Sequence, residues 1–429
     1  MLEETQLEAP PASPSASPSS RGRGLTGRAA WNFGDQALSS ISNAGVVLVV
    51  AHVLGVNEFG QFAIGFTIVT LVLQLVRQLV SMPLVLTTSN LSAGPLRNQA
   101  RLAVGASISL GAVLAMGIAC MAPLFAKSMA GTLLGLAVAL PGVFTQDTLR
   151  FAAFAAGRPS RAALSDAIWL VAVGASLAAL AVSGRATPGM YMAAWGLSGT
   201  LAGIVAMWQS GVWPRLPGAM HWTWSHRKTS GLLFVEIAAA YGSAQIAVLM
   251  ISGAVGPAAA GALRGAQTLL GPVNVVGMAA ISFLIPELVR RPHLGRRGRM
   301  LAAAGVGGFI AFADLVLGIT LLAVPSWVGE ALLGSTWSGA RQVLLPITLL
   351  TLSVALSLGP LAVLQSMGRV GAAALCSIGL FPVMLASTVV GLHVGGLTSA
   401  AYAMAAAQFA VLLAWWPTLL RYAGKTGTA

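Results

Sequence analysis

The sequence predicts an all-α polytopic membrane protein with about 12 transmembrane helices, in two parallel six-helix lobes around a central cavity. Only 8% of the 429 residues are charged, about a third of the share in soluble domains. Hydrophobic residues make up 56%, and the mean hydropathy is +0.82. Apolar stretches of about 20 residues, long enough to cross a bilayer, recur from Trp31 to Leu420. This composition excludes a large soluble enzyme, a nucleic-acid-binding domain and a secreted disulfide scaffold.

The elements follow in order along the chain. Residues 1–24 are rich in Pro and Ser and nearly devoid of apolar side chains, which predicts a disordered cytoplasmic tail. Residues 25–209 are predicted to form an N-terminal six-helix lobe, 210–230 a cytoplasmic connector and 231–429 a C-terminal six-helix lobe. The predicted spans are 30–53, 60–85, 101–123, 131–156, 162–182, 189–209, 231–252, 258–289, 302–324, 341–366, 371–391 and 397–420.

Basic residues predict the orientation. With both termini inside, nineteen Lys and Arg fall in cytoplasmic segments and four on the outer side, while Arg77 lies within a span. Cytoplasmic loops of membrane proteins carry such an excess. We therefore expect a multi-pass protein of the cell inner membrane with both termini cytoplasmic.

An internal repeat relates the two halves. The segment 54–60 aligns with 255–261, and Gly157-Arg158 aligns with Gly368-Arg369. Both halves start on the same membrane side, so the repeat is parallel, with its axis along the membrane normal. This arrangement is typical of transporters whose pathway lies between the lobes.

Three segments resemble a known family. They are Leu54-Gly55-x-x-Glu58-Phe59-Gly60-Gln61-Phe62-Ala63, then Gly261-Ala262-Leu263-Arg264-x-Ala266, and Gln146-Asp147-x-Leu149-Arg150 followed by Gly157-Arg158-Pro159 and Asp166-x-x-Trp169. The chain resembles, over about residues 25–425, the Wzx-type oligosaccharide flippases for cell-surface polysaccharide, in the superfamily of multidrug (MATE) exporters and lipid II flippases.

The resemblance implies a flippase that carries a polyprenyl-diphosphate oligosaccharide across the cytoplasmic membrane by alternating access. The alternative is a cation-coupled multidrug exporter of the same superfamily. We expect no enzyme activity, no cofactor, no metal and no nucleic acid. The expected partners are the lipid-linked glycan, membrane lipids, and a polysaccharide polymerase and glycosyltransferases. The coupling ion, H⁺ or Na⁺, stays open.

Polar residues at helical spacing are the candidates for the cavity. Gln74, Arg77 and Gln78 share one face of the second span with Thr67, Thr70 and Ser81. This face either lines a water-filled cavity or makes hydrogen bonds between the lobes. The first span has a matching stripe, of which Asn32, Gln36 and Asn43 are cavity candidates, and Asn274 follows in the eighth span.

Arginines are the candidate anchors for a diphosphate, because the guanidinium is permanently charged and forked. Arg77 is either such an anchor or the partner of Asp35 in the first span. Arg264 in the eighth span either faces the cavity or extends to the membrane surface. Lipid II flippases also place functional arginines in helices one, two and eight, which adds Arg28 at the start of the first span.

Intramembrane and turn carboxylates complete the candidates. Asp314, in the middle of an apolar span, is either a proton-coupling residue or a neutral acid bonded to another helix. Asp147, Arg150, Arg158 and Asp166 cluster, with Arg161, around the turn between the fourth and fifth spans. They form either a cytoplasmic gate or a simple structural clamp.

Two other classes are weaker alternatives. A membrane glycan transferase needs a catalytic set in an outer loop, and the longest outer segment, about 325–340, offers Glu330 and no histidine. A non-transporting scaffold is favoured only if the polar stripes pack together without water.

Overall fold

The computed structural model describes residues 40–88, 91–184, 186–290 and 294–424, and within these ranges it contains helices and no strand. The predicted tail 1–24, the start of the first span, and the candidates Arg28, Asn32, Asp35 and Gln36 lie outside the described residues.

The first half has six helices that cross the bundle in alternating directions. They are α1 (Ser40–Val53), α2 (Val56–Thr88), α3 (Ala93–Leu124), α4 (Lys127–Ala155), α5 (Pro159–Ser183) and α6 (Pro188–Ser210). A π-helical turn, Arg77–Ser81, interrupts α2. The helix α4 packs against α3, α5 and α6 and forms the centre of this half.

The second half begins after a short connector helix, α7 (Ala219–Ser225). It contains α8 (Arg227–Val255), α9 (Pro257–Leu269), α10 (Gly271–Arg290), α11 (Arg296–Ala323), α12 (Ser326–Leu333), α13 (Trp337–Ser366) and α14 (Val370–Ala423). The connector packs on the start of α3, where Trp222 Nε1 donates to Gln99 Oε1 over 2.5 Å.

Among the described residues, nine helices are long and apolar enough to cross a membrane. One of them, α14, is broken at Gly395 and Gly396 and supplies two segments. The predicted eighth span is divided at Leu270 into α9 and α10, and α1 is shorter because its predicted start is not described. The nine long helices give ten segments when α14 is divided in two. Adding α1, and α9 with α10 as one segment, gives the expected twelve among the described residues.

The repeat has a backbone counterpart. Gly157 and Gly368, at equivalent sequence positions, both end a helix in the left-handed region, with φ of 67° and 70°. Only glycine adopts this conformation without strain, and each turn leads directly into the next membrane segment. The two cysteines are free: Cys376 is buried, whereas Cys120 is exposed on α3.

One end of the bundle, which we call the connector end, contains α7 and the C-terminal ends of α2, α4 and α6. The other end, where α1 meets α2 at Gly55 and α8 meets α9 at Gly256, is called the opposite end.

Candidate functional site

The polar face of α2 points into the protein. Thr67 and Ser81 are buried, and Gln74, Arg77 and Gln78 are half-buried. Arg77 begins the π turn, whose wider backbone turn commonly marks functional positions in helices. This polar face therefore packs against protein rather than lipid, as expected for a row of polar side chains in an otherwise apolar helix.

Arg77 forms a two-point ion pair with Asp147 of α4. Its Nε lies 3.0 and 2.9 Å from the two carboxylate oxygens, and its Nη2 lies 2.6 Å from Oδ1. Its Nη1 donates to Gln74 Oε1 over 2.8 Å, and its guanidinium carbon lies 5.7 Å from the Phe151 ring centroid. Among the described residues its carboxylate partner is therefore Asp147, in the same half. The predicted partner Asp35 lies outside the described residues, so that pairing stays a prediction.

The pair lies at the centre of a buried network. Arg150 Nε lies 3.3 Å from Asp166 Oδ2 and joins α4 to α5. Gln146 Nε2 donates to Asp166 Oδ1 over 2.9 Å and to Ser165 Oγ over 3.1 Å. Two arginines and two aspartates alternate here, so the charges of these four described residues balance.

Both carboxylates of the network lie within membrane-spanning helices. Asp147 lies eight residues before the end of α4, which is about 12 Å at 1.5 Å per residue. Asp166 lies seven residues into α5, about 10 Å deep by the same rise. Both therefore join helices inside the bundle, next to the turn around which the sequence predicted the cluster, whereas Arg158 is exposed at the turn itself.

Two further contacts extend the network. Thr148 Oγ1 lies 3.3 Å from Ser81 Oγ of α2 and 2.5 Å from Ser107 Oγ of α3. A small pocket next to Asp166 is lined by Ser42, Asn43 and Trp169. The candidate Asn43 therefore lies beside the same network and connects it to α1.

Arg77 keeps some binding capacity. Its side chain is 24% exposed, against 5% for Asp147. A guanidinium has five N–H groups, and the described contacts engage three of them. Removing either partner alone strands a buried charge, which costs about 3–5 kcal/mol.

Arg264 lies at the interface between the halves. Its guanidinium carbon is 4.4 Å from the centroid of the Phe66 ring in α2, so the side chain stacks across the interface. Its Nε is buried and has no hydrogen-bond partner among the residues that the structure describes. Among the described residues it forms no ion pair with a carboxylate, and its electrostatic neighbour is Tyr241 of α8. A buried cationic donor left open is suited to an anionic ligand.

The halves touch along the whole of α2. At the opposite end, a Cβ at Gly60 would be only 2.0 Å from the Pro257 carbonyl oxygen. At the connector end, the Ser230 hydroxyl lies 3.4 Å from the Leu79 carbonyl, inside the π turn. The interface that holds Arg264 is therefore closed on both sides of that residue.

Asp314 lies elsewhere, inside the second half. It is fully buried in α11, and the Thr351 hydroxyl of α13 donates to its Oδ1 over 2.7 Å. Its Oδ2 has no hydrogen-bond partner within the described ranges. Asn274 is exposed on α10 and does not belong to the network around Arg77.

The sequence did not single out Phe66, Tyr241 or Thr351. Phe66 lies one residue before Thr67, in the otherwise apolar run of α2, and nothing in its pattern distinguishes it from a core residue. No group of three or more His, Cys, Asp or Glu that could hold a metal occurs within the described ranges.

No protein-family model matches this sequence, and no curated protein is similar to it in sequence. Solved structures are similar in fold. An inward-facing multidrug resistance MATE family transporter of the MOP superfamily has TM-score 0.68 at 12% identity, covering 91% of this chain and 96% of that chain. The lipid II flippase MurJ, in an inward closed conformation, has TM-score 0.65 at 9% identity, covering 89% and 85%.

A eukaryotic MATE transporter has TM-score 0.60 at 13% identity and covers 94% of this chain and 99% of its own. All three are similar over nearly their full length, and they are transporters or flippases rather than enzymes. The chain is a multi-pass helical protein with the fold of MOP superfamily transporters.

Proposed function

We propose that the chain is a flippase for a lipid-linked oligosaccharide with a diphosphate headgroup, in cell-surface polysaccharide biosynthesis. The observation that carries the proposal is Arg264: a half-buried, stacked guanidinium at the interface of the halves, whose buried Nε has no hydrogen-bond partner and which has no acidic partner among the described residues. Arginine suits a diphosphate because its fork matches two phosphate oxygens.

Arg77 is the second anchor in this proposal. Its free N–H groups can bind a phosphate oxygen while Asp147 holds the side chain in place. Gln74, Gln78 and Asn43 supply neutral hydrogen bonds for sugar hydroxyls, as do Asn32, Gln36 and Asn274. In this view the lobes 25–209 and 231–429, linked by 210–230, move as units about the α2 interface.

The surroundings of the site follow from the same proposal. The protein lies in the cytoplasmic membrane, the connector end faces the cytoplasm, and a polymerase and glycosyltransferases act on the same glycan. Asp147, Arg150, Arg158 and Asp166 act as the gate on that side, and Asp314 is the candidate for ion coupling.

A multidrug exporter is the second candidate, because two of the similar structures are MATE transporters. Its organic-cation cargo requires an available carboxylate in the pathway. Among the described residues of the network, Asp147 and Asp166 are both held by arginines. Arg264 would also repel a cation, so the charge of the interface favours an anionic cargo.

The test replaces Arg264 and measures complementation of a flippase-deficient strain alongside protein level. Arg264→Gln is expected to lose flipping because one charge-assisted hydrogen bond contributes about 1.5–3 kcal/mol. Arg264→Lys keeps the charge without the fork and should retain partial activity.

The matched control is Arg341→Gln, because Arg341 is an exposed arginine whose Nη1 donates to Ser326 Oγ over 2.9 Å. Full activity of Arg264→Gln at normal protein level would contradict the anchoring role, and export of organic cations by the wild type would favour the exporter.

A further inference from the structure

A second cavity lies within the first half, away from the α2 interface. It has a volume of about 610 Å³ and is enclosed at the connector end by the start of α3, the end of α4, the start of α5 and the end of α6. Neither α2 nor any helix of the second half contributes to its lining. It is therefore separate from Arg264 and the α2 interface, although Arg150 and Ser165 of its wall also belong to the network around Arg77.

The lining is strongly basic. It contains four arginines and no acidic residue: Arg97, Arg150, Arg158 and Arg161. Arg150 is paired with Asp166, which does not itself line the cavity. The other three form no ion pair with a carboxylate among the described residues. The cavity thus holds three positive charges that the described part of the chain does not compensate.

Backbone contacts hold two of these arginines at the rim. Arg97 donates from Nε and Nη2 to the Gly211 carbonyl oxygen, over 3.0 and 2.7 Å. Arg161 Nη1 lies 3.3 Å from the Gln209 carbonyl oxygen. A carbonyl fixes the guanidinium without removing its charge, and each side chain keeps further N–H groups for a ligand. Arg158 is exposed at the turn before α5.

The rest of the wall is mostly apolar, and its uncharged polar residues are Ser165, Gln209 and Ser210. Eight alanines line it, from α3, α4, the turn before α5, α5 and α6. A cavity of this volume is within the range that takes a drug-sized ligand, so a phosphate group fills only part of it. A charged rim above an alanine wall fits a molecule with an anionic head and an apolar continuation.

We propose that this cavity binds a phosphate-bearing anion, held by Arg97, Arg158 and Arg161. The two sources of this chemistry are the headgroup of an anionic membrane lipid and free phosphate. Arg150 and Arg158, which the proposed function assigns to the gate, also line this cavity, but the inference does not depend on flippase activity because it concerns binding at equilibrium and requires no transport.

The experiment uses the purified full-length protein in detergent. Binding of phosphatidylglycerol, of phosphatidylcholine and of inorganic phosphate is measured by native mass spectrometry and by the shift in melting temperature, at constant ionic strength. The variant is Arg158→Gln/Arg161→Gln. The matched control is Arg369→Gln, since Arg369 occupies the equivalent turn of the second half and stacks on Tyr422, 5.2 Å from its ring centroid.

We expect wild type and Arg369→Gln to bind phosphatidylglycerol alike, and the double variant to bind it about tenfold or more weakly. The melting temperature of the double variant without ligand shows whether it is folded. If inorganic phosphate displaces the lipid from wild type, the site is a phosphate site; if it does not, the lipid is the ligand. Equal binding of phosphatidylglycerol by the double variant and wild type would overturn the proposal, as would equal binding of phosphatidylcholine and phosphatidylglycerol by wild type.

Discussion

The contact between Gly60 and Pro257 offers a direct test of alternating access. A Cβ at Gly60 would lie 2.0 Å from the Pro257 carbonyl oxygen, 2.3 Å from its carbon and 2.8 Å from the Ala258 nitrogen. All three are backbone atoms and cannot rotate away. Gly60→Ala therefore forces α2 and α9 apart at the opposite end.

The displacement follows from these distances. Ordinary contact begins at 3.4 Å, so the oxygen must move by about 1.4 Å. Overpacking of this kind costs about 1–3 kcal/mol. If the halves exchange between two states of similar energy, that cost shifts their populations about 5- to 150-fold away from closure at this end.

The substitution leaves the helix itself intact. Alanine is a better helix former than glycine by about 0.8–1.0 kcal/mol, so any defect arises from the contact rather than from α2. Gly45→Ala is the matched control, because a Cβ at Gly45 in α1 meets nothing within 4 Å.

The assay is a distance measurement between spin labels at Asn57 and Val255, which are exposed on either side of this contact. Both native cysteines are first replaced by alanine. We expect Gly60→Ala to lose the short-distance population and to reduce transport, while Gly45→Ala matches the parent. An unchanged distance distribution in Gly60→Ala would refute the conclusion that this contact closes the opposite end.

Three other predictions concern charges and topology. Arg77→Ala and Asp147→Ala are each expected to lower the melting temperature, because each strands a buried charge, and the double variant should recover it; recovered flipping in the double variant would contradict an anchoring role of Arg77. The Asp314→Asn side chain cannot ionise, so the variant should reach the wild-type protein level but lose transport that is driven by an ion gradient. Unchanged gradient-driven transport in this variant would exclude Asp314 from ion coupling. Cysteines at Asn57 and Ser335 should react with an impermeant reagent added outside intact cells, and reaction only after permeabilisation would reverse the proposed orientation.

Helix number and repeat could be predicted from the sequence because both depend on local properties. Apolar length determines which segments can cross a bilayer. The Gly157 and Gly368 turns were visible as aligned dipeptides, and the structure gives both the same left-handed backbone. The break between α9 and α10 was missed although Gly271-Pro272 follows it directly, because transmembrane helices tolerate Gly and Pro and the dipeptide does not by itself indicate an interruption.

Partners across helices could not be predicted in the same way. Helical spacing shows that Gln74 and Arg77 share a face but not which helix that face meets. The partner, Asp147, is 70 residues away in the sequence and lies two turns inside α4, and no pattern around Arg77 indicates it. Likewise, stacking of Arg264 on Phe66 depends on the crossing of α2 and α9, which only the packed structure defines.

The central claim is that the interface of the halves carries an anionic, lipid-linked cargo. The most direct measurement uses proteoliposomes that contain the purified protein and a fluorescent polyprenyl-diphosphate oligosaccharide. A membrane-impermeant quencher added outside the liposomes removes the fluorescence of lipids in the outer leaflet, and the loss of the remaining fluorescence reports how fast the lipid crosses the bilayer. The account predicts rapid crossing with wild type and with Arg341→Gln, and only the protein-free rate with Arg264→Gln. Crossing that is equally fast with Arg264→Gln, or wild-type liposomes that move organic cations but not the diphosphate lipid, would contradict it.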